Sequence, residues 1–465
     1  MKKTIIFALV LALVVPSIAL AAADFSLGGF IKLDTFWDSS QEGKNMNGFI
    51  ARNNDPNFHH GRVKFTSQGS RFNLTIKGPK LFGATTTGFI EMDFDNAEAG
   101  PNAAGLHAGG AATTASFSYT PRLRHAMFRF NWPETELLLG QYWSMLCEWW
   151  PETAQDGPFQ ATGIPTSRIP QIRVTQKFAG AFTVAALIGD ATNNAGARAF
   201  SANDTTGESG EMPQIQGKIA YEQDLWGKAA YYGKPTPFTV QLAAGMQRSD
   251  FRQNNALLAN TFGENGFNLI AVATNNRYLY PWIAMGSMFV PVIPTHSANL
   301  AGTAAFQTQW WIGTGVEAFG FAGLASNFFH FSGSDNTWDQ ELGKRFGGYA
   351  QLQYYFTNQW FINTAYAMSR SFGISPGQTD GNVPFAGQRS YAITGADAPS
   401  YQHEFDLTLW YRPIQAIKFG IQYAYIRSNW LQNRDAAGNF NAAAVGPTSK
   451  FGDAHRVEFV GFFYF

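Results

Sequence analysis

From Phe25 to Phe465 the chain repeats one pattern, in which stretches of about ten residues alternate apolar and polar side chains. Short turns and long polar connections separate these stretches in turn. Alternation at a period of two is the mark of a strand with one apolar and one polar face. Sixteen such strands are predicted: 25–38, 60–77, 85–95, 123–132, 136–144, 169–178, 181–190, 214–222, 238–248, 278–292, 301–313, 346–357, 360–370, 401–412, 417–428 and 455–465.

The early strands fix which face is which. In the first, Ile31, Leu33, Thr35 and Trp37 fall on the outward face, while Lys32, Asp34 and Phe36 fall on the inward one. The second changes phase, because Val63 and Phe65 are outward in its first half and Phe72, Leu74 and Ile76 in its second. One extra residue must be absorbed near Gly69-Ser70, and a β-bulge does that. The inward set of this strand is then Arg62, Lys64, Arg71, Asn73, Thr75 and Lys77.

Composition turns alternating strands into a membrane barrel. An ordinary water-soluble domain carries roughly 25% charged residues, whereas this chain has 14% charged and 15% aromatic residues. Beyond the first residues no stretch reaches the length of a helical membrane span. A transmembrane antiparallel up-and-down β-barrel accounts for both facts, since only every second residue of its strands meets lipid. Trp and Tyr near predicted strand ends, as in Trp37, Trp132, Tyr142-Trp143, Trp360 and Trp410-Tyr411, fit interfacial girdles.

The two ends agree. Lys2 and Lys3, the apolar run Ile5 to Val15 and the small residues to Ala23 read as a signal peptide over 1–23, with the barrel over 24–465. Removing Lys2 and Lys3 from equal counts of 33 basic and 33 acidic residues leaves a slight acidic excess, and nothing suggests nucleic acid. Cys147 is the only cysteine, so neither an intramolecular disulfide nor a CxxCH haem site can form. The final strand, Val457 to Phe465, resembles the assembly signal of bacterial outer-membrane β-barrels.

Four further segments carry a wider likeness: 70–78 (SRFNLTIKG), 124–129 (RHAMFR), 138–143 (LLGQYW) and 168–173 (RIPQIR). With the closing Phe465 they resemble a general bacterial porin of the sixteen-stranded, trimeric type. The last two together are also similar to porins that pass small carboxylates. The resemblance implies a homotrimer in the outer membrane of a Gram-negative bacterium, contacts with outer-membrane lipid, and passive diffusion of small hydrophilic solutes and ions without a cofactor. It also implies that the loop after the fifth strand, residues 145–167, folds into the lumen as a constriction loop. Glu148, Glu152 and Asp156 would then lie inside the pore.

Strand phase supplies the facing wall, on which Lys32, Arg62, Lys64, Arg71, Arg129 and Arg173 project inward. Arg168 has outward parity and joins this set only if the end of its strand twists. Asp34, Glu91, Asp93, Glu404, Asp406 and Glu458 are inward as well, but the bases are denser opposite the loop, which predicts a weak preference for anions. Other readings are a channel specific for small organic acids and a structural barrel supporting an electron-transfer partner. An enzyme is disfavoured, because the eight histidines recur with no nucleophile or metal spacing. The interval before Ile31 is too short for a plug domain.

Overall fold

A computed structural model describes residues 23–40, 50, 52–54, 59–95, 121–146, 149–159, 162–165, 167–192, 207–250, 278–320, 327–332, 337–372, 391–393, 399–430 and 449–465. Its main sheet has seventeen hydrogen-bonded segments, two of which are halves of one strand, and it closes on itself as a sixteen-stranded antiparallel barrel. In chain order the strands are β1 (Asp24–Asp38), β2 (Arg62–Thr66 and Arg71–Lys77), β3 (Thr85–Asp93), β4 (Arg122–Asn131), β5 (Thr135–Trp143) and β6 (Arg168–Phe178). There follow β7 (Phe182–Gly189), β8 (Gln214–Gln223), β9 (Phe238–Met246), β10 (Trp282–Ile293) and β11 (Ala304–Thr314). The last five are β12 (Lys344–Tyr355), β13 (Trp360–Phe372), β14 (Pro399–Ile414), β15 (Ile417–Trp430) and β16 (Phe451–Tyr464). Each pairs with its neighbours in the chain, and β16 closes the ring on β1 from Phe30↔Tyr464 to Asp38↔Arg456. The signal-peptide segment lies outside the described residues.

The phase change predicted in the second strand is present. The register runs Asp34↔Thr66 above the break and Phe30↔Arg71 below it, so four residues, 67–70, oppose three on β1. The bulge folds its extra residue back through a hydrogen bond from the Ser70 amide to the Ser67 carbonyl (3.0 Å). Both predicted phases are therefore kept.

Alternation decides what each face meets. Leu27, Ile31, Val63, Phe65, Ile172, Ile219, Leu242, Ile421 and Phe459 stand bare on the outside. A belt of this kind is stable against lipid and not against water. Polar and charged side chains point inward, as the glutamines Gln241, Gln309, Gln351, Gln402 and Gln422 show on five different strands.

Asp24, Tyr464 and the short turns, such as 132–134, 179–181 and 415–416, share one end of the barrel. The long connections join the strands at the other end. Between β11 and β12 a 3₁₀ turn, Val316–Phe319, packs its buried residues against Leu146, Ile283 and Trp311. The same connection carries strands Asn327–Ser332 and Thr337–Leu342, which pair with each other, and the first also pairs with Tyr391–Ile393. The alternation pattern did not single out these outer strands.

Candidate functional site

The segment between β5 and β6 enters the lumen and is held along its length by inward side chains of distant strands. The Met145 amide donates to Gln216 Oε1 on β8 (2.9 Å), and Trp149 stacks on Phe289 of β10 with ring centroids 5.5 Å apart. Further on, the Glu152 amide donates to Gln351 Oε1 (2.7 Å), and the Ala154 amide to Gln422 Oε1 (2.7 Å). Returning, Gln155 Nε2 donates to Glu404 (2.7 Å) and Asp406 (2.9 Å), and Trp311 Nε1 donates to the Gly163 carbonyl (2.8 Å). A polar inner wall that would otherwise face water thus satisfies the backbone groups of a loop that has no strand partners.

The loop's carboxylates meet specific partners. Glu152 forms a buried ion pair with Lys418 and also accepts from Gln353 Nε2 (2.9 Å). Its own carbonyl accepts from Asn363 Nδ2 (2.7 Å) and Trp410 Nε1 (3.1 Å). Asp156 lies 3.0 Å from Lys32 Nζ and 4.0 Å from Arg71. The approach depends on the bulge in β2, because a Cβ at Gly69 would stand 2.2 Å from Asp156 Oδ2. Glu148 and Cys147 lie outside the described residues.

The loop thus covers the wall from β8 round to β1 and leaves a sector from β2 to β6. On the covered wall Lys32, Gln351, Glu404 and Lys418 are buried; in the other sector Arg62, Lys64, Arg71 and Arg129 keep part of their surface open, while Arg124, His125 and Arg173 are buried. Lys32 is sealed between Asp34 (2.7 Å) and Asp156, so both groups are neutralised where they touch.

The open sector is strongly basic. Arg129 and Arg173 flank the Tyr142 ring, each 5.5 Å from its centroid, and share Glu136 at 3.2 and 3.7 Å. Arg122 and Arg124 hold Asp93 at 2.7 and 2.6 Å, and Arg124 also holds Glu91 at 2.6 Å. Arg62 pairs with Asp38 at 2.9 Å. Arginines outnumber the carboxylates they touch, and side-chain nitrogens of Arg62, Arg71, Arg129, Arg168 and Arg173 are shielded without a hydrogen-bond acceptor.

Two of these bases were not visible in the strand phase. Counting back from Arg129 gives Arg122 and Arg124 outward parity, yet the β3–β4 register slips between Glu91↔His125 and Met92↔Leu123. This second bulge turns Arg124 inward. Arg168, paired with Trp143 across β5–β6, likewise leaves its nominal face: its guanidinium lies 4.8 Å from the Trp143 ring, which packs on Trp150 of the loop at 5.3 Å. The strand ends twist where the chain turns into the lumen.

A second inward element comes from the opposite end. The connection between β8 and β9 forms a small hairpin, Ala229–Tyr231 with Lys234–Thr236, whose tip holds Tyr232 in a left-handed conformation (φ 49°). Ala229 and Ala230 are buried on the inner wall beside Phe289 and Tyr355. The Trp150 amide donates to the Tyr231 hydroxyl (3.2 Å), and the Tyr232 hydroxyl donates to the Pro151 carbonyl (3.0 Å). Loop and hairpin close the same sector from both ends. Replacing residues 229–236 by a short turn is expected to raise single-channel conductance without changing ion selectivity, since the arginine wall is elsewhere. An unchanged conductance would show that the hairpin is no barrier to ions.

No family model and no curated protein matches the chain. Its structure is similar to that of the outer-membrane channel DcaP of Acinetobacter baumannii, with a TM-score of 0.60 at 15% identity over 96% of this chain and 98% of that one. OmpF of Salmonella typhi gives a TM-score of 0.48 at 12% identity, covering 95% and 98% of the two chains. OprB of Pseudomonas putida gives 0.46 at 9%, covering 95% and 94%. The closed sixteen-stranded antiparallel barrel of the DcaP outer-membrane channel is the fold of this chain.

Proposed function

We propose that this chain, built on the porin fold, is a channel of the Gram-negative outer membrane that lets small hydrophilic solutes diffuse passively and favours anions. One observation supports the reading: Arg62, Lys64, Arg71 and Arg129 keep part of their surface open on β2 and β4, while the lumen loop hydrogen-bonds to inward side chains of β8, β12 and β15 and the hairpin hydrogen-bonds to the loop. Cations fixed along a passage with low-dielectric walls raise the local concentration of anions and repel cations.

The fold shared with DcaP, itself an outer-membrane channel, supports the permeation role, and the selectivity is argued from this chain's own side chains. The outer faces of β1–β3, with Leu27, Ile31, Leu33, Val63, Phe65 and Ile90, suit contact with further copies in a homotrimer. Purified protein in a planar bilayer under a potassium chloride gradient is expected to give conductance steps in threes and a reversal potential biased to chloride. A potassium bias would overturn the charge reading, and absence of conductance would overturn the channel itself.

A further inference from the structure

The outer surface carries a row of residues with a different logic from the lumen. Gly217, Ala244, Ala284, Ile312, Phe346, Arg370, Tyr401 and Asn429 are successive register partners from β8 to β15. Small residues at one end, with Gly286 beside them, leave a trough of 910 Å³ walled by Ile219, Leu242, Trp310 and Phe346. At the other end Phe346 also borders a second depression of 520 Å³, lined by Met368, Arg370, Ser400, Tyr401 and Asn429. An apolar trough therefore adjoins, at Phe346, a second depression whose lining includes an arginine.

The row climbs through the membrane. Gly217 lies six residues from the short-turn end of β8, and Arg370 ten residues from that end of β13. With strands tilted by about 40° and rising about 3.3 Å per residue, Arg370 sits roughly 25 Å above the short-turn girdle, at the outer interface. By the same rise Gly217 sits roughly 15 Å above that girdle, and five strand spacings of about 4.8 Å along the inclined row give a climb of roughly 15 Å, so Arg370 lies about 10–15 Å above Gly217. That is a third to a half of a hydrocarbon core about 30 Å thick, within the length of one leaflet's chains.

Charge is placed to match. On the outward faces of β10–β15 the charged side chains among the described residues are Lys344, Arg370 and Arg427, all basic and all toward the loop end. Arg370 is exposed and makes no hydrogen bond or ion pair with the described residues. Arg427 donates to Asn429 Oδ1 (3.2 Å) and lies over Phe451, while neighbouring Asp453 on β16 is held by Asn53 (2.6 Å). An exposed guanidinium at headgroup level above an apolar trough calls for an anionic headgroup with an acyl chain.

We propose that this face binds a phosphate-bearing lipid of the outer leaflet, its phosphate on Arg370 and an acyl chain in the trough that ends at Gly217. The test is native mass spectrometry of the full barrel in detergent, titrated with dioleoyl phosphatidic acid or dioleoyl phosphatidylcholine. Phosphatidic acid should bind at least fivefold more tightly, and Arg370→Ala should abolish that preference. Gly217→Phe, at a position where an added Cβ meets nothing within 4 Å, should weaken both lipids. Neither variant touches the lumen, so unchanged conductance certifies the fold. Equal binding of the two lipids, a preference surviving in Arg370→Ala, or displacement by millimolar inorganic phosphate would overturn the proposal. So would disulfide-linked copies formed in membranes by Trp310→Cys in a Cys147→Ser background, since a second chain would then cover this face.

Discussion

Glutamate at both Arg129 and Arg173 is expected to reverse the sign of the reversal potential and turn an anion-preferring passage into a cation-preferring one. These two guanidiniums face each other across Tyr142 in the open sector. A monovalent ion passing about 7 Å from one of them feels roughly 0.6 kcal/mol in water and about 2.4 kcal/mol at an effective dielectric constant of 20. Each Arg→Glu exchange removes one such attraction and adds one repulsion. Two exchanges amount to about 2.4 kcal/mol for an anion even in the aqueous limit; screening at 0.1 M salt over a Debye length of about 10 Å roughly halves this, to on the order of tenfold for the anion, and the opposite gain for a cation brings the change in the anion-to-cation ratio to on the order of fiftyfold. The paired Arg→Gln variant should fall between, and the paired Arg→Lys variant should keep the wild-type bias. Unchanged selectivity with glutamate at both positions would place the ion path outside the β2–β6 sector.

These positions show which part of the molecule can be read from one dimension. A strand's face follows from its own alternation, so Arg129 and Arg173 could be placed inward, and the bulge in β2 could be found, because each phase is declared by apolar residues on both sides of the change. Arg122 and Arg124 escaped because only Leu123 marks the phase above their bulge. The burial of Lys32 and Glu152 is a matter of long-range docking: a glutamine that faces water and one that binds a loop backbone have the same inward parity. The hairpin at 229–236 was equally silent, since its place depends on Trp149, Pro151 and Phe289 meeting it from elsewhere in the chain. Local pattern specifies the cylinder, and non-local hydrogen bonds decide how much of its bore stays open.

The strongest of those non-local anchors is the Glu152–Lys418 pair, and Glu152→Gln is expected to loosen the lumen loop while leaving the barrel wall intact. Lys418 Nζ lies 3.6 Å from the centroid of the Trp410 ring and is buried, so without the carboxylate it becomes a buried charge that has lost its counter-charge. Breaking a buried pair from one side costs about 3–5 kcal/mol, whereas replacing both partners by uncharged groups of similar volume is often neutral. The barrel need not bear that cost, because the loop can lift and admit water to Lys418. Single-channel records of Glu152→Gln should therefore show enlarged, noisy open states, with heat resistance of the folded barrel little changed. Glu152→Gln combined with Lys418→Met should restore quiet channels, since the backbone contacts of Glu152 with Asn363 and Trp410 are retained. Equal noise in the single and double variants would show that the contact acts through shape alone, and a quiet Glu152→Gln channel would show that the loop amides donating to Gln351 and Gln422, with the bond donated by Trp311, hold the loop without the ion pair.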